Sequence, residues 1–500
     1  MTTTATTKYE VVVGLEVHVQ IKTQSKMFCG CSSAYFDAEP NSHVCPVCMG
    51  MPGMLPVINR RAVEATVLTG LALGCTIPPR SKFDRKNYPY PDLMKGYQIS
   101  QYDQPLCLGG GLQVEADLGA RFIRLERIHL EEDTARLLHR EEAHGEGYSL
   151  LDVNRSGVPL MEIVSQPDIR SAAEAGVYLR MLRQTLRYIE VSDADMEKGS
   201  FRCDANVSLR PVGQEEYGTK VEVKNMNSFR AVQRAIETEI DRQTAILHAG
   251  GRIEQETRGY IDATGETASQ RSKEQAHDYR YFPEPDLPPI AIAAEHVEAL
   301  RATLPELPDA RRARLEAQYS LAFADAHLLT ETRTEAEAFE EAAVLVNVGI
   351  TDAAAQQART RAVAHWVIGD VARLRRAEGG GERDWSEIAL TPSHIAELVT
   401  LTESGTITGT TAKEVLDIVF ATGQSPVAIV AERGLGQVRD DAEIDRVASE
   451  VIAANPKAVS DYQGGKPSAI QFLVGQVMRQ LRGRADANTA AEALRRHLDG

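Results

Sequence analysis

After Gly14 the chain alternates strictly: Leu15, Val17, Val19 and Ile21 are apolar, while Glu16, His18 and Gln20 between them are polar. A period of two predicts a strand with one buried and one polar face. The pattern returns at residues 124–133, where His129 and Glu131 share one face and Ile128 and Leu130 the other. Residues 199–210 set Arg202, Asp204, Asn206 and Ser208 against Phe201, Cys203, Ala205, Val207 and Leu209, and residues 219–227 follow with Lys220, Glu222 and Lys224. Solvated strand faces are commonly Thr, Lys and Glu, so a face of Arg, Asp, Asn and Ser reads as the lining of a cleft. Strand-like segments broken by Gly, Pro and Asn continue to about residue 292. Beyond the proline-rich residues 283–289 the period becomes helical, and Ala, Glu and Arg dominate, as at 310–318 and 335–343. These patterns predict an α+β chain with a strand-rich catalytic domain at 8–292, a helical domain at 293–406 and a small helical tail domain at 407–500. Residues 379–384 read as a flexible Gly-rich loop and 462–467 as a turn.

Five hundred residues exceed what one hydrophobic core usually supports, which agrees with this division. No run approaches the ~18 apolar residues of a membrane span, and the opening Met-Thr-Thr-Thr-Ala-Thr-Thr-Lys lacks the apolar centre of a secretory signal. The expectation is a cytoplasmic protein with no membrane association. A formal net charge of −16 argues against an indiscriminate nucleic-acid coat protein. Charge is uneven, however: residues 293–406 hold 19 acidic and 11 basic residues, whereas 466–500 hold three acidic and six basic ones. The basic end suits either a solvated helix face or one that touches RNA.

Candidate chemistry sits on the polar strand faces and in the loops beside them. Glu16 and His18, two apart on one face, lie ~7 Å apart along the strand and can share a metal ion or a polyphosphate. Beyond His129 and Glu131, Glu132 and Asp133 crowd the end of the second strand, where a divalent cation would ease their repulsion. Seven cysteines, four of them grouped, fit a reducing compartment with a metal site better than a disulfide framework. Cys29 and Cys31 form one close pair and Cys45 and Cys48 another; together they can fill a zinc tetrahedron, in which case the site is structural. The alternatives are unligated thiols or a redox pair. Cys75, Cys107 and Cys203 read as buried apolar residues. Lys82, Arg85, Lys86, Arg155 and Arg280 stand in loops with Tyr88 and Tyr90 and can hold phosphates. Acidic faces for Mg²⁺ and basic loops for phosphate describe phosphoryl transfer without a P-loop, and no Gly-x-x-x-x-Gly-Lys-Ser/Thr, Gly-x-Gly-x-x-Gly or Gly-x-Ser-x-Gly signature is in place.

Seven motifs carry a resemblance. Val13-Gly-Leu-Glu-Val-His-Val, Ser81-Lys-Phe-Asp-Arg-Lys-Asn-Tyr, Gln98-Ile-Ser-Gln-Tyr-Asp-Gln-Pro, His129-Leu-Glu-Glu-Asp, Gly199-Ser-Phe-Arg-Cys-Asp-Ala-Asn, Val223-Lys-Asn-Met-Asn-Ser-Phe and Asp278-Tyr-Arg-Tyr-Phe-Pro-Glu-Pro-Asp resemble, in order, those of the B subunits of tRNA-dependent amidotransferases. The resemblance implies a cradle-shaped catalytic domain of the glutamine synthetase and guanido kinase type, a helical domain and a small helical tail that contacts tRNA. It also implies ATP-dependent amidation of misacylated Glu-tRNA(Gln), Asp-tRNA(Asn) or both. The setting it implies is an amidotransferase heterotrimer, in which the A subunit is a glutaminase that supplies ammonia and the C subunit is small. Carried over by position, Glu16, His18, Glu131 and Glu132 match the Mg²⁺ and ATP site, with Asp204 a further catalytic member and Lys82, Arg155, Arg202 and Asn206 its lining. Cys29, Cys31, Cys45 and Cys48 match a structural Zn²⁺ knuckle. Two other classes fit the residues alone: a ligase amidating a small free acid, and a non-catalytic zinc-bearing tRNA scaffold.

Overall fold

The computed structural model describes residues 8–141, 147–272, 278–376, 383–437, 441–466, 468–481 and 484–499. The Gly-rich residues 379–382 and Pro467 of the expected turn lie outside the described residues. The chain forms two compact units, Met1–Leu307 and Pro308–Gly500.

The first unit is built on a nine-stranded sheet: β1 (Tyr9–Gln20), β2 (Cys107–Leu108), β3 (Gly111–Ala116), β4 (Gly119–Glu132), β5 (Pro159–Ser165), β6 (Phe201–Pro211), β7 (Val221–Lys224), β8 (Glu256–Ile261) and β9 (Glu266–Ser272). Their spatial order is β9-β8-β7-β6-β1-β5-β4-β2, with β3 also paired to β4. Every pairing is antiparallel except β7 with β8, so the predicted α+β class holds. The alternation of β1 appears as expected, because Val13, Leu15, Val17 and Val19 are fully buried on one face. Against that face pack α2 (Ala172–Tyr188) and α3 (Phe229–His248). Tyr178, Leu179, Leu182 and Leu186 recur at helical spacing along α2 and are fully buried, as are Val232, Ala235 and Ile236 of α3. Both helices start at a serine whose hydroxyl accepts an otherwise unpaired amide: Ser171 from Glu174 N and Ser228 from Ala231 N. The other face of the sheet keeps its charged side chains.

Two expected boundaries shift. The helical period begins near 293, but α4 (Ala294–Arg301) contributes Val297 and Leu300 to the sheet core, and Leu304 and Leu307 follow, so the first unit ends at Leu307 rather than 292. The second unit is helical, and its main core runs from Leu315 to Val430 without a break at 406. Val415, Leu416 and Val419 of α11 (Gly409–Thr422) and Ile429 of α12 (Pro426–Arg433) belong to it. A separate cluster, Ile444 to Leu494, forms the tail. Periodicity reports what kind of element a stretch forms; which core receives its apolar face depends on long-range packing. Among the described residues no single helix is long and apolar enough to cross a membrane, and the α11 and α12 pair, which passes on length and composition, is bent by 114° and spends its apolar residues on this core.

This packing predicts where the helical unit can be cut. Truncation after residue 437 is expected to preserve a cooperative helical melt monitored by circular dichroism. Truncation after 406 removes seven buried side chains of that core, Ile407, Ala412, Val415, Leu416, Val419, Ile429 and Val430, the Val, Leu and Ile among them contributing about 1.5–3 kcal/mol each, and the transition at that core should be lost.

Candidate active site

The polar face of the sheet converges at His18. Register places His18 opposite Glu162 in β5 and opposite Arg202 in β6, while Glu162 in turn stands opposite His129 in β4. His18 Nε2 lies 3.4 Å from a Glu162 oxygen and 3.8 Å from one of Glu131. His129 Nε2 lies 3.2 Å from Glu162 and 3.8 Å from Glu131. One ligand atom each from His18, Glu131 and Glu162 fall within 4.8 Å of one another, close enough to share one cation. Two buried carboxylates and a neutral imidazole are donors of a kind that a divalent ion accepts. Ser100 Oγ donates to Glu131 at 3.1 Å, which fixes the carboxylate from behind.

Electrostatics explains how these groups coexist. Burial pushes Glu162 up, but the charges of His129 and His18 outweigh it and hold the carboxyl well below its usual range. Glu131 is likewise lowered against burial, by the neighbouring His129 and by the Lys86 ammonium. The imidazoles move the other way: burial would lower them, yet Glu162 and Glu131 raise His18, and His129 rises to about 9. Without a cation the carboxylates are therefore neutralised by imidazolium protons. A divalent ion bound there would displace them.

The remaining predicted residues divide into those near the cluster and those held elsewhere. Glu16 is not one of the three converging residues; it stands opposite Asp204 and accepts from Asn206 Nδ2 at 2.9 Å. Burial first, then Glu162, Glu222 and Asp204, raise its pKa. Asp204 is paired with Lys224 Nζ at 2.5 Å. Arg202 donates to Asp133 at 2.9 Å, and Arg155 lies 3.7 Å from the same carboxylate while donating to the Thr134 and Ala135 carbonyls. Glu132 does not join Glu131: adjacent strand residues face opposite ways, and Glu132 accepts from Lys95 Nζ at 2.5 Å and Ile99 N at 3.1 Å. Lys82 is engaged by Asp84 and Asp103.

Two residues matter more in the structure than in the sequence. Glu162 is the lone charge in Pro-Leu-Met-Glu-Ile-Val-Ser, and that isolation within an apolar strand was the available signal. Lys86 feels the charge of the cluster: burial would lower its pKa, but Glu131 outweighs it, with Tyr281 and Glu162 adding, so it rises. Its Nζ stands 4.9 Å from the Tyr279 ring. Tyr279 and Tyr281 belong to a loop latched onto the strand Asp84–Asn87, where Glu284 takes both guanidinium arms of Arg85 at 2.7 and 2.9 Å and Tyr281 stacks on Tyr102 at 4.3 Å.

The four cysteines form a distinct centre. Their sulfurs lie within 4.8 Å of one another, and those of Cys45 and Cys48 are 3.9 Å apart. A tetrahedron with Zn–S of about 2.3 Å has edges of about 3.8 Å, so the donors fit zinc. Cys45 N donates to Cys48 Sγ at 3.2 Å. A hydrogen bond from Cys29 pulls Cys48 down to about 4, with the buried Lys26 contributing, while burial and Cys45 push Cys31 up to about 11. Cys75, Cys107 and Cys203 are buried singly in the sheet core.

Fold and site define a class: an α+β catalytic domain with a charged sheet face, continued by an all-helical unit. The family model described as "GatB/GatE catalytic domain" matches residues 11–298, and that described as "GatB domain" matches 350–498. Proteins named as the B subunit of aspartyl/glutamyl-tRNA(Asn/Gln) amidotransferase in Dehalococcoides mccartyi (strain CBDB1) and Thermomicrobium roseum are 54% and 53% identical over 493 and 491 residues. That of Carboxydothermus hydrogenoformans is 51% identical over 491 residues, and each alignment covers 98–99% of this chain and 99% of the relative. The chain belongs to the family of B subunits of the aspartyl/glutamyl-tRNA(Asn/Gln) amidotransferases, the family its motifs resemble.

Two expectations follow from these centres. In cation-free protein, His129 rises from 6.5 to about 9, so its charge stabilises the fold fully below about 6.5 and that contribution fades as pH climbs through about 9. Mg²⁺ should therefore raise the melting temperature more at pH 9 than at pH 6, as scanning calorimetry can measure; the reverse order would contradict the assignment. Cys45→Ser should lose zinc by metal analysis and lower the melting temperature, while ATP binding to the protein that remains folded persists.

Proposed function

We propose that this chain performs the ATP-dependent activation step in amidating misacylated Glu-tRNA(Gln), Asp-tRNA(Asn) or both. The observation that carries this reading is the convergence of His18, Glu131 and Glu162, to whose two carboxylates the Lys86 ammonium is electrostatically coupled. A carboxylate is a poor electrophile because oxide would have to leave. Its oxygen instead attacks the γ-phosphorus of ATP, the bond to the bridging oxygen breaks, and ADP departs from an acyl phosphate. Ammonia then attacks the acyl carbon, expels inorganic phosphate, and yields the amide on losing a proton.

His18, Glu131 and Glu162 would hold Mg²⁺, which when bound offsets the charge that repels the attacking carboxylate from the triphosphate. Lys86 places an ammonium beside the same phosphoryl oxygens. Glu16, its pKa raised by burial and neighbouring carboxylates, is suited to take the proton that ammonia sheds. His129 orients Glu131 and Glu162. Arg202 and Arg155, both anchored by Asp133, line the edge nearest the end of β1.

Ammonia comes from the glutaminase of a heterotrimer, its A subunit, with the small C subunit completing the complex, in the cytoplasm. The zinc knuckle is structural, and the sheet unit is a cradle of the glutamine synthetase and guanido kinase type. The tail contacts tRNA: Lys466 and Arg496 form surface ion pairs with Asp461 and Asp445 and Arg484 donates to the Gly434 carbonyl, so among the described residues Arg479 and Arg495 are offered to phosphates.

The assembled complex provides the test. His18→Ala, Glu131→Ala and Glu162→Ala should each cut amidation at least about a hundredfold, while assembly and the partner's glutaminase activity persist. ADP should form only with a misacylated tRNA; ADP with free glutamate would indicate a small-acid ligase, and none with any acceptor a scaffold.

A further inference from the structure

A cavity of about 670 Å³ opens where β1 ends. Gln20 and Lys22 line it from the strand's exit, Tyr35 and Phe36 from the loop between the two cysteine pairs, and Lys198 and Ser200 from the turn before β6. It lies outside the His18 cluster but is tied to it. Gln20 Nε2 donates to Asp133 Oδ2 at 2.7 Å and to the Tyr35 hydroxyl at 3.0 Å. Arg202, opposite His18, donates to the same Asp133 oxygen at 2.9 Å. Gln20 and His18 share a face two residues apart, ~7 Å along the strand. A molecule seated in the cavity can therefore extend a substituent to the cluster.

The lining shows what kind of molecule fits. The volume falls within the usual range for small-molecule pockets, about 300–1,000 Å³. Tyr35 is fixed by its exchange of hydrogen bonds with Gln20, whereas Phe36 leaves 53% of its surface exposed at the rim, with Lys198 Nζ 6.0 Å from its ring. An exposed aromatic face is a stacking platform for a base, and an adjacent ammonium suits its phosphate. Lys22 and Lys198 are exposed, and neither is in an ion pair with a described residue. Asp193, also in the lining, accepts from Ser200 Oγ at 2.6 Å through Oδ1. Its other oxygen is left to accept from a ribose hydroxyl or an exocyclic amine.

We infer that this cavity is an adenosine subsite, with the base stacked on Phe36 and the attached phosphate held by Lys22 and Lys198. The inference rests on the proposed function, which brings two adenosines to the protein: that of ATP and the terminal one of tRNA that carries the aminoacyl ester. Either source presents the same base, ribose and phosphate.

The experiment uses the assembled amidotransferase and measures ADP formation while ATP and Glu-tRNA(Gln) are varied in turn. Phe36→Ala and Lys198→Ala should raise KM for one of the two substrates on the order of tenfold, and Phe36→Trp should restore it. A rise for Glu-tRNA(Gln) assigns the terminal adenosine of tRNA; a rise for ATP assigns the nucleotide. Unchanged KM for both, in variants with unaltered zinc content and melting temperature, overturns the subsite. Binding of 2-aminopurine riboside, read by fluorescence quenching, is scored separately: it should occur with the unaltered complex and be lost in Phe36→Ala. If the unaltered complex forms no ADP with either misacylated tRNA, the proposed function fails, and this second readout still decides the subsite.

Discussion

The site depends on how β1 is paired. Because β5 and β6 flank it antiparallel, His18 meets Glu162 on one side and Arg202 on the other, and His129 follows one strand further on. A slip of one residue would turn Glu16, His18 and Gln20 toward α2 and α3 and bring Val17 and Val19 to the polar face. What prevents the slip is the apolar half of the same alternation, since Val13, Leu15, Val17 and Val19 are buried under the two helices. The hydrophobic core thus sets the register, and the register assembles the chemistry.

Pairing alone would leave an untenable density of buried carboxylate. Glu131, Asp133 and Glu162 are all nearly inaccessible, and an isolated buried charge is prohibitively unfavourable. Each is compensated locally: Glu131 and Glu162 by two imidazoles and Lys86, and Asp133 by Arg202, Arg155 and Gln20. The two groups differ in what compensates them. Arginine cannot give up its proton near neutrality, so Asp133 is a permanent anchor. Histidine can, so the His18 cluster can exchange protons for a cation.

The end of β4 joins this cluster to the cysteine centre. Glu131 faces His18, while its neighbour Glu132 faces the opposite way and, with Lys95, borders the same small cavity as Cys29 and Cys48. The four sulfurs converge at the two ends of the loop that carries Tyr35 and Phe36 away from β1, so the geometry of the cysteine cluster and the shape of the cavity beside the site are linked through a few residues of backbone.

Local alternation was enough to place Glu16, His18, Glu131, Arg202, Asp204 and Asn206 on polar strand faces, and the change of period near 293 was enough to separate sheet from helix. Cysteine spacing likewise brought four sulfurs together, because ligands close in sequence need only a short loop to meet. Glu162 and Lys86 were not legible to the same degree, since their importance comes from strands and loops that pair over more than a hundred residues of chain. The same limit moved the domain boundaries: α4 reads as a helix but packs with the sheet, and α11 joins the helices before it. By itself the sequence determined element type, face and family, all set by neighbours a few positions away. Which faces meet, and therefore which charged groups converge, was decided only by the tertiary structure, because register and burial are properties of pairs distant along the chain.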